Sequence, residues 1–306
     1  MRYILPTLIF LLASSKIYAQ GCSDAGFCSI GDLKSTSSSA PNQFKNSITL
    51  GVSYGMGLEA IQIITPYFEY QRKISDKFLL QGKITAGYAT GDLGDNFGAG
   101  DIFLSGSYTL FQRENFKLSA LAGGKIPLNN SNNKNEVDLP LPLDYQSSIA
   151  TYDAIAGARI GINKFEFNIG LQMPFVQQNE NTFFPSLYDD SLAYKYSPTN
   201  EFERKGDVLF RAGYQFNLKE SNFSFKPNLL AIYHLGNDTY VDEAGKRNAI
   251  EDSQGLTLNA GFVAAKLFNN QHELEALVAV PLVVREVRPD GLTRSLVINV
   301  QYKIPF

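Results

Sequence analysis

The sequence predicts an all-β protein: an antiparallel transmembrane up-and-down β-barrel of about twelve strands, exported by an N-terminal leader. Three observations predict it. Apolar and polar residues alternate with period two from residue 46 onward, the connections sort into short and long ones, and aromatic residues recur at shared levels of the strands.

Composition closes several other readings. The chain of 306 residues has a formal net charge of -3 and a pI near 5.5. That balance lacks the basic excess of a nucleic-acid binder, so no nucleic-acid partner is expected. No apolar run approaches the ~18 residues that a membrane helix needs.

The elements follow in order. Arg2, the apolar stretch from Ile4 to Leu12 and the small residues ending at Ala19 have the layout of a secretory signal peptide over 1–19. Residues 20–45 are expected to form an N-terminal periplasmic segment. Its two cysteines, Cys22 and Cys28, are close enough for a local disulfide in an oxidising compartment. Two thiolates do not complete a zinc shell, and no metal or cofactor is expected. A Ser-rich linker over 35–42 follows, long enough to let the segment reach back as a plug.

The barrel is expected over 46–306, with strands at 46–55, 61–72, 78–89, 101–112, 116–127, 150–162, 165–175, 207–217, 222–235, 255–267, 272–285 and 293–306. The last shows the pattern best: Leu296, Ile298, Val300, Tyr302, Ile304 and Phe306 alternate with Ser295, Asn299, Gln301 and Lys303, and Val297 is the one apolar exception. Each span is near the ~9–11 residues that cross a bilayer as a tilted strand.

Connections after the even strands are tight, as in Arg113-Glu114-Asn115 and Asn163-Lys164. Those after the third, fifth, seventh and ninth strands are long and rich in Asn, Asp and Gly, the first of them over 90–100. Short periplasmic turns against long extracellular loops is the sidedness of outer-membrane barrels. Tyr70, Tyr108, Tyr214, Phe216, Tyr302 and Phe306, with Phe78, Phe116, Phe165 and Phe223, then share one level as an aromatic belt toward the periplasm. Tyr54, Tyr88, Tyr152 and Tyr233 make a thinner outer one. The partners implied are outer-membrane lipid and, through a last strand ending on Phe306, the barrel-assembly machinery. The expected location is the Gram-negative outer membrane.

The alternation turns a set of charges inward: Glu69, Lys83, Asp101, Lys125, Asp153, Arg159, Glu166, Asp207, Arg211, Lys226, Glu273 and Glu275. There they face water or one another at little cost, whereas toward lipid each would cost several kcal/mol. They are candidate lumen-lining residues, either of a selective channel or of a lumen closed by ion pairs such as one made by Arg159. His234 faces inward near the outer rim with Asp238 in the next loop, the one place where a rim hydrolase is conceivable. No catalytic motif surrounds it, and no enzyme is expected. The loop acids Asp92, Asp95, Asp238, Asp242 and Glu243 are read as solvated rather than as a calcium loop.

The Gly100-Asp101-Ile102 run that ends at Tyr108 resembles the Gly-Leu-Gly-Asp strand of channels assigned to phenol degradation (the MetA-pathway transporter-like family), with Ala99 where that pattern often has Leu. The segment from Cys22 to Cys28 is similar to the mature start of related outer-membrane proteins. The resemblance covers under a tenth of the chain. It implies uptake of a small-molecule solute through the lumen and no chemistry. A closed structural or adhesion barrel that works through its long extracellular loops is the alternative.

Overall fold

A computed structural model describes residues 21–22, 30–34, 44–218, 220–268, 271–291 and 293–306. The leader at 1–19 and Cys28 lie outside the described residues, and of Cys22 only the backbone is described, so the disulfide expectation falls outside them too.

The described residues form a closed antiparallel barrel of twelve strands. In chain order these are β1 (Asn46–Met56), β2 (Gln62–Lys73), β3 (Phe78–Gly91), β4 (Gly94–Arg113), β5 (Phe116–Pro127) and β6 (Thr151–Ile162). Then come β7 (Phe165–Gln177), β8 (Asp207–Tyr214 and Phe216–Leu218, interrupted at Gln215), β9 (Phe223–His234), β10 (Gly255–Phe268), β11 (His272–Val283) and β12 (Leu296–Pro305). Each pairs with its sequence neighbour. The sheet closes where β12 meets β1, from Leu296 opposite Met56 to Pro305 opposite Ser47. Closure leaves no row of unpaired backbone groups, which hydrocarbon would not tolerate.

Side-chain parity follows the sequence pattern. On β12, Val300 is 39% exposed while Gln301 beside it is 5% exposed. Leu50, Ile64, Ile84, Leu104, Ile169, Leu229, Phe262 and Val278 continue the exposed apolar surface around the wall. A soluble protein rarely shows contiguous apolar surface beyond a few hundred Å², so this exterior suits lipid. At the lower end Phe165 packs edge-on against Tyr214 at 4.8 Å and Tyr214 against Phe216 at 4.7 Å, while Phe78 lies opposite Tyr108. The described parts of the even-strand connections are tight, as at 114–115 and 163–164.

One expectation is corrected. The long loop over 90–100 is mostly strand: β3 and β4 run on to Gly91 and Gly94, joined by the two residues Asp92 and Leu93. Glycines at 94, 98 and 100 interrupt the apolar alternation and hide the strand from a periodicity reading. Pairing with β3 and a hydrogen bond from Asn96 Nδ2 to the Tyr145 carbonyl (2.7 Å) hold it extended. The 20–45 segment is expected as a periplasmic segment able to reach back as a plug, and its described residues bear on the second half of that expectation. Gly21–Cys22 pairs with Thr293–Arg294 above the start of β12, and residues 30–34 lie inside the wall.

Candidate functional site

The upper end of the barrel is closed by its own loops. The 128–150 and 178–206 connections fold inward around a small apolar core: Leu141, Tyr145, Phe183, Tyr188 and Tyr196 pack on Ile61, Ile63 and Leu93. Polar anchors hold the loops in place. Asn181 Nδ2 donates to the carbonyls of Ser131 and Leu141 (both 2.9 Å), and the Tyr188 hydroxyl donates to the Pro140 carbonyl (2.9 Å). Burial raises the Tyr188 phenol to about 12, with the neighbouring Tyr145 adding to the shift.

A second apolar group, Leu143, Ile149, Phe202 and Ile250, ties the cap to the loop after β9. The loop after β11 also reaches in. Gly291 has φ +61, and a Cβ there would sit 2.5 Å from Asp144 Cα, so only glycine lets these two loops touch.

Beneath this seam lies a buried ion cluster from three segments, 204–207, 234–238 and 285–290. His234 Nδ1 and Nε2 are each 2.8 Å from a carboxylate oxygen, of Asp207 and Asp238. Arg204 binds Asp207 and reaches Asp290 at 3.4 Å; Arg285 binds Asp290 and lies 3.6 Å from Asp238. Asp238 is fully buried, which corrects its reading as a solvated loop acid: it also accepts from the Lys205 N–H at 2.9 Å. Burial works against the charge of Asp290, but Arg285 and Arg204 outweigh it and hold that carboxyl well below the usual range. His234, the candidate rim histidine, has both ring nitrogens engaged by carboxylates and acts here as a brace between β9, β8 and the following loop.

Midway down, residues 30–34 form a single 3-10 turn inside the wall. Ile30 and Leu33, 1% and 0% exposed, pack with Phe103, Leu121, Ile155, Leu209, Leu230 and Ile232. Gly31 has φ +48, and a Cβ there would meet Leu121 Cδ1 at 2.3 Å, so the turn sits against the wall only as glycine. The Gly31 N–H donates to Gln81 Oε1 at 2.6 Å, Arg211 donates to the Leu33 carbonyl, and Lys34 Nζ meets Gln301 Oε1 at 2.5 Å and Glu69 Oε2 at 3.3 Å. Sequence reasoning missed this contact. Its signal was present: six apolar residues on β4, β5, β6, β8 and β9 stand at positions whose phase is otherwise polar.

The twelve inward charges fall into place around that turn. Glu69, Lys83, Lys125, Asp153, Glu166, Asp207, Arg211, Lys226, Glu273 and Glu275 are buried; Asp101 and Arg159 are partly so. The structure brings many of them together. Glu166 takes Arg159 and, at 3.0 Å, Lys226; Asp153 lies 3.3 Å from Lys125, whose Nζ also donates to Thr151 Oγ1 at 2.8 Å. Asp101 accepts from Ser148 Oγ at 2.6 Å, and Glu275 accepts from Gln301 Nε2 at 2.6 Å. Lys83 Nζ stands 4.3 Å over the Tyr67 ring. Glu273 sits lower, opposite Lys303 in register.

Between turn and cap lies a cavity of about 130 Å³. Its charged lining is Lys34, Lys83, Lys125, Arg204, Arg211 and Arg294 with Asp101, Asp144, Glu275 and Asp290; Tyr67, Phe103, Leu277 and Val297 supply apolar surface. Burial, with the Asp290 charge adding to it, raises the Asp144 carboxyl to about 7. A second recess opens at the lower end, where Lys45, Lys73, Lys77, Lys117 and Lys303 gather with Asp76.

A closed antiparallel barrel, apolar outside and charged within, defines the fold class of outer-membrane barrels. Known structures agree. An outer membrane channel from Pseudomonas putida F1 superposes with a TM-score of 0.55 at 14% identity, covering 88% of this chain and 100% of that one. The KdgM porin gives 0.44 at 10% identity over 85% and 99%, and the NanC porin 0.47 at 6% over 85% and 98%. The first likeness establishes the fold and no more. Neither a family model nor a curated protein matches this sequence.

Proposed function

We propose that this chain is an outer-membrane channel of a Gram-negative bacterium that passes a small solute through its lumen, with residues 30–34 as an internal plug that narrows the path. The observation that carries the reading is the cavity of about 130 Å³ between that turn and the cap, lined by charged and polar groups inside a closed, apolar-skinned wall. A merely structural barrel of this size gains nothing from buried charges around an empty space, since buried ion pairs are weak contributors to stability. A neighbour of the same fold is called an outer membrane channel, and the resemblance of the 100–108 strand to the phenol-degradation transporters points the same way. Export through residues 1–19, a Cys22–Cys28 disulfide and delivery to the barrel-assembly machinery through Phe306 belong to the same reading.

The test is conductance of the purified protein in planar bilayers, with and without residues 20–42. Small currents from the full chain that grow on deletion are expected. Equal currents would remove the plug, and silence from both proteins would remove the channel. A loop-acting barrel draws its support from the ordered core of the cap; it gains ground if both proteins are silent and a surface partner is lost on deleting 178–206.

A further inference from the structure

The charges along this lumen are not balanced at either end. Among the described residues the upper cavity is lined by six basic side chains against four acidic ones. Three of the basic groups, Lys34, Lys125 and Arg204, are offset by Glu69, Asp153 and Asp207, which do not line the cavity, and Asp290 is offset in turn by Arg285. One of the four acids, Asp144, holds its proton up to about 7, because burial and the Asp290 charge both oppose ionisation. With Asp144 uncharged, the cavity keeps a positive excess of one.

The lower recess carries the same sign by separate means. Five lysines converge there, Lys45 ahead of β1, Lys73 at the end of β2, Lys77 in the turn, Lys117 on β5 and Lys303 on β12, against Asp76 alone. Asp76 also lines the recess and is tied to Lys73 at 2.8 Å, so it offsets one of the five lysines and leaves four in excess. Gathering five like charges destabilises the folded barrel slightly through self-repulsion, and packing does not require it. A concave mouth of one sign instead concentrates ions of the other.

Resting on the channel reading above, we infer that this lumen selects anions and that its solutes are small organic carboxylates. The size limit comes from the cavity: an engineered pocket of roughly 150 Å³ takes one benzene ring, so about 130 Å³ holds a short aliphatic or single-ring acid. The chemistry comes from its lining, where Lys83, Arg211 and Arg294 can meet a carboxylate while Phe103, Leu277 and Val297 meet the apolar remainder.

The experiment is the reversal potential of the full chain in planar bilayers across a potassium chloride gradient, followed by block of the chloride current with benzoate. Chloride should be favoured over potassium by about tenfold, the lower end of the enrichment a cleft of one sign gives, and benzoate should reduce the current. Replacing Lys45, Lys77, Lys117 and Lys303 together by Gln should bring the reversal potential toward zero, while the same four as Arg should keep it. The Lys83→Gln variant should weaken benzoate block without abolishing current. Conduction with no preference, with a preference for potassium, or with anion preference untouched by the four Gln changes would overturn the inference and leave the channel standing. No current at all would overturn the channel and the selectivity with it.

Discussion

The two ends of this barrel are built on opposite plans. At the lower end the described turns are short, as at Glu114-Asn115, and the mouth is a basin of lysines. At the upper end the loops after β5, β7, β9 and β11 fold over the opening and carry two apolar cores and a buried ion cluster. The wall between them is a ladder of neighbour-to-neighbour pairings, whereas the cap is held by contacts between distant parts of the chain, such as Arg204 with Asp290. A wall of this kind closes whatever its loops do. That difference predicts a cap that loosens before the wall does.

The largest expected effect tests whether cap and wall are separable. Arg204→Ala would leave Asp207 and Asp290 buried with one guanidinium fewer between them, and breaking a buried pair typically costs about 3–5 kcal/mol. Amide hydrogen exchange in 178–206 should accelerate sharply while the barrel keeps its heat-dependent mobility shift on denaturing gels. Should wall and cap lose protection together, the two ends form one cooperative unit and the contrast drawn here fails.

A second measurement sharpens the claim about the wall itself. Val300 faces outward in mid-strand on β12, and Leu282 faces outward near the upper end of β11. An arginine at mid-depth costs about 2–4 kcal/mol and near the interface only about 0–1. Val300→Arg should thus lower the folding free energy in phospholipid vesicles clearly, and Leu282→Arg barely. Equal costs would mean that the exposed apolar band does not lie in hydrocarbon.

How much of this was legible follows the same division. Strand parity is local information: Val300 and Gln301 declare their faces from adjacent positions, and the twelve inward charges were placed by that rule alone. Their partners were not, because Lys34 with Glu69 and Gln301, or Glu166 with Lys226, are set by registers across several strands. A plug from the 20–45 segment was conceivable from the linker, but the seat of the turn at 30–34 was not legible, for a related reason. Leu33 means nothing by itself, and only Phe103, Leu121, Ile155 and Leu209, each apolar at a polar phase, together mark a receiving patch. The upper part of β4 was read as loop because its glycines erase alternation, although pairing with β3 does not depend on it.

The smallest effect concerns pH and the seam where Asp144 meets the loop after β11. Burial, then the charge of Asp290, raises the Asp144 carboxyl to about 7, against the weaker pull of its own backbone N–H and of Arg288. In a released cap the group returns to an ordinary aspartate near 3.8. Below that value it is protonated in both states and adds no pH dependence. Between the two values the released cap gives up a proton that the docked cap keeps, so docking weakens as pH rises, by about 1.4 kcal/mol per unit. From pH ~5 to ~6 the exchange protection of residues 183–196, corrected for the intrinsic rate, should then fall about tenfold. Asp144→Asn cannot ionise and should abolish that slope while leaving the cap docked. A slope that survives in the Asn variant would assign the titration elsewhere in the cluster, with His234 between its two carboxylates the next group to replace.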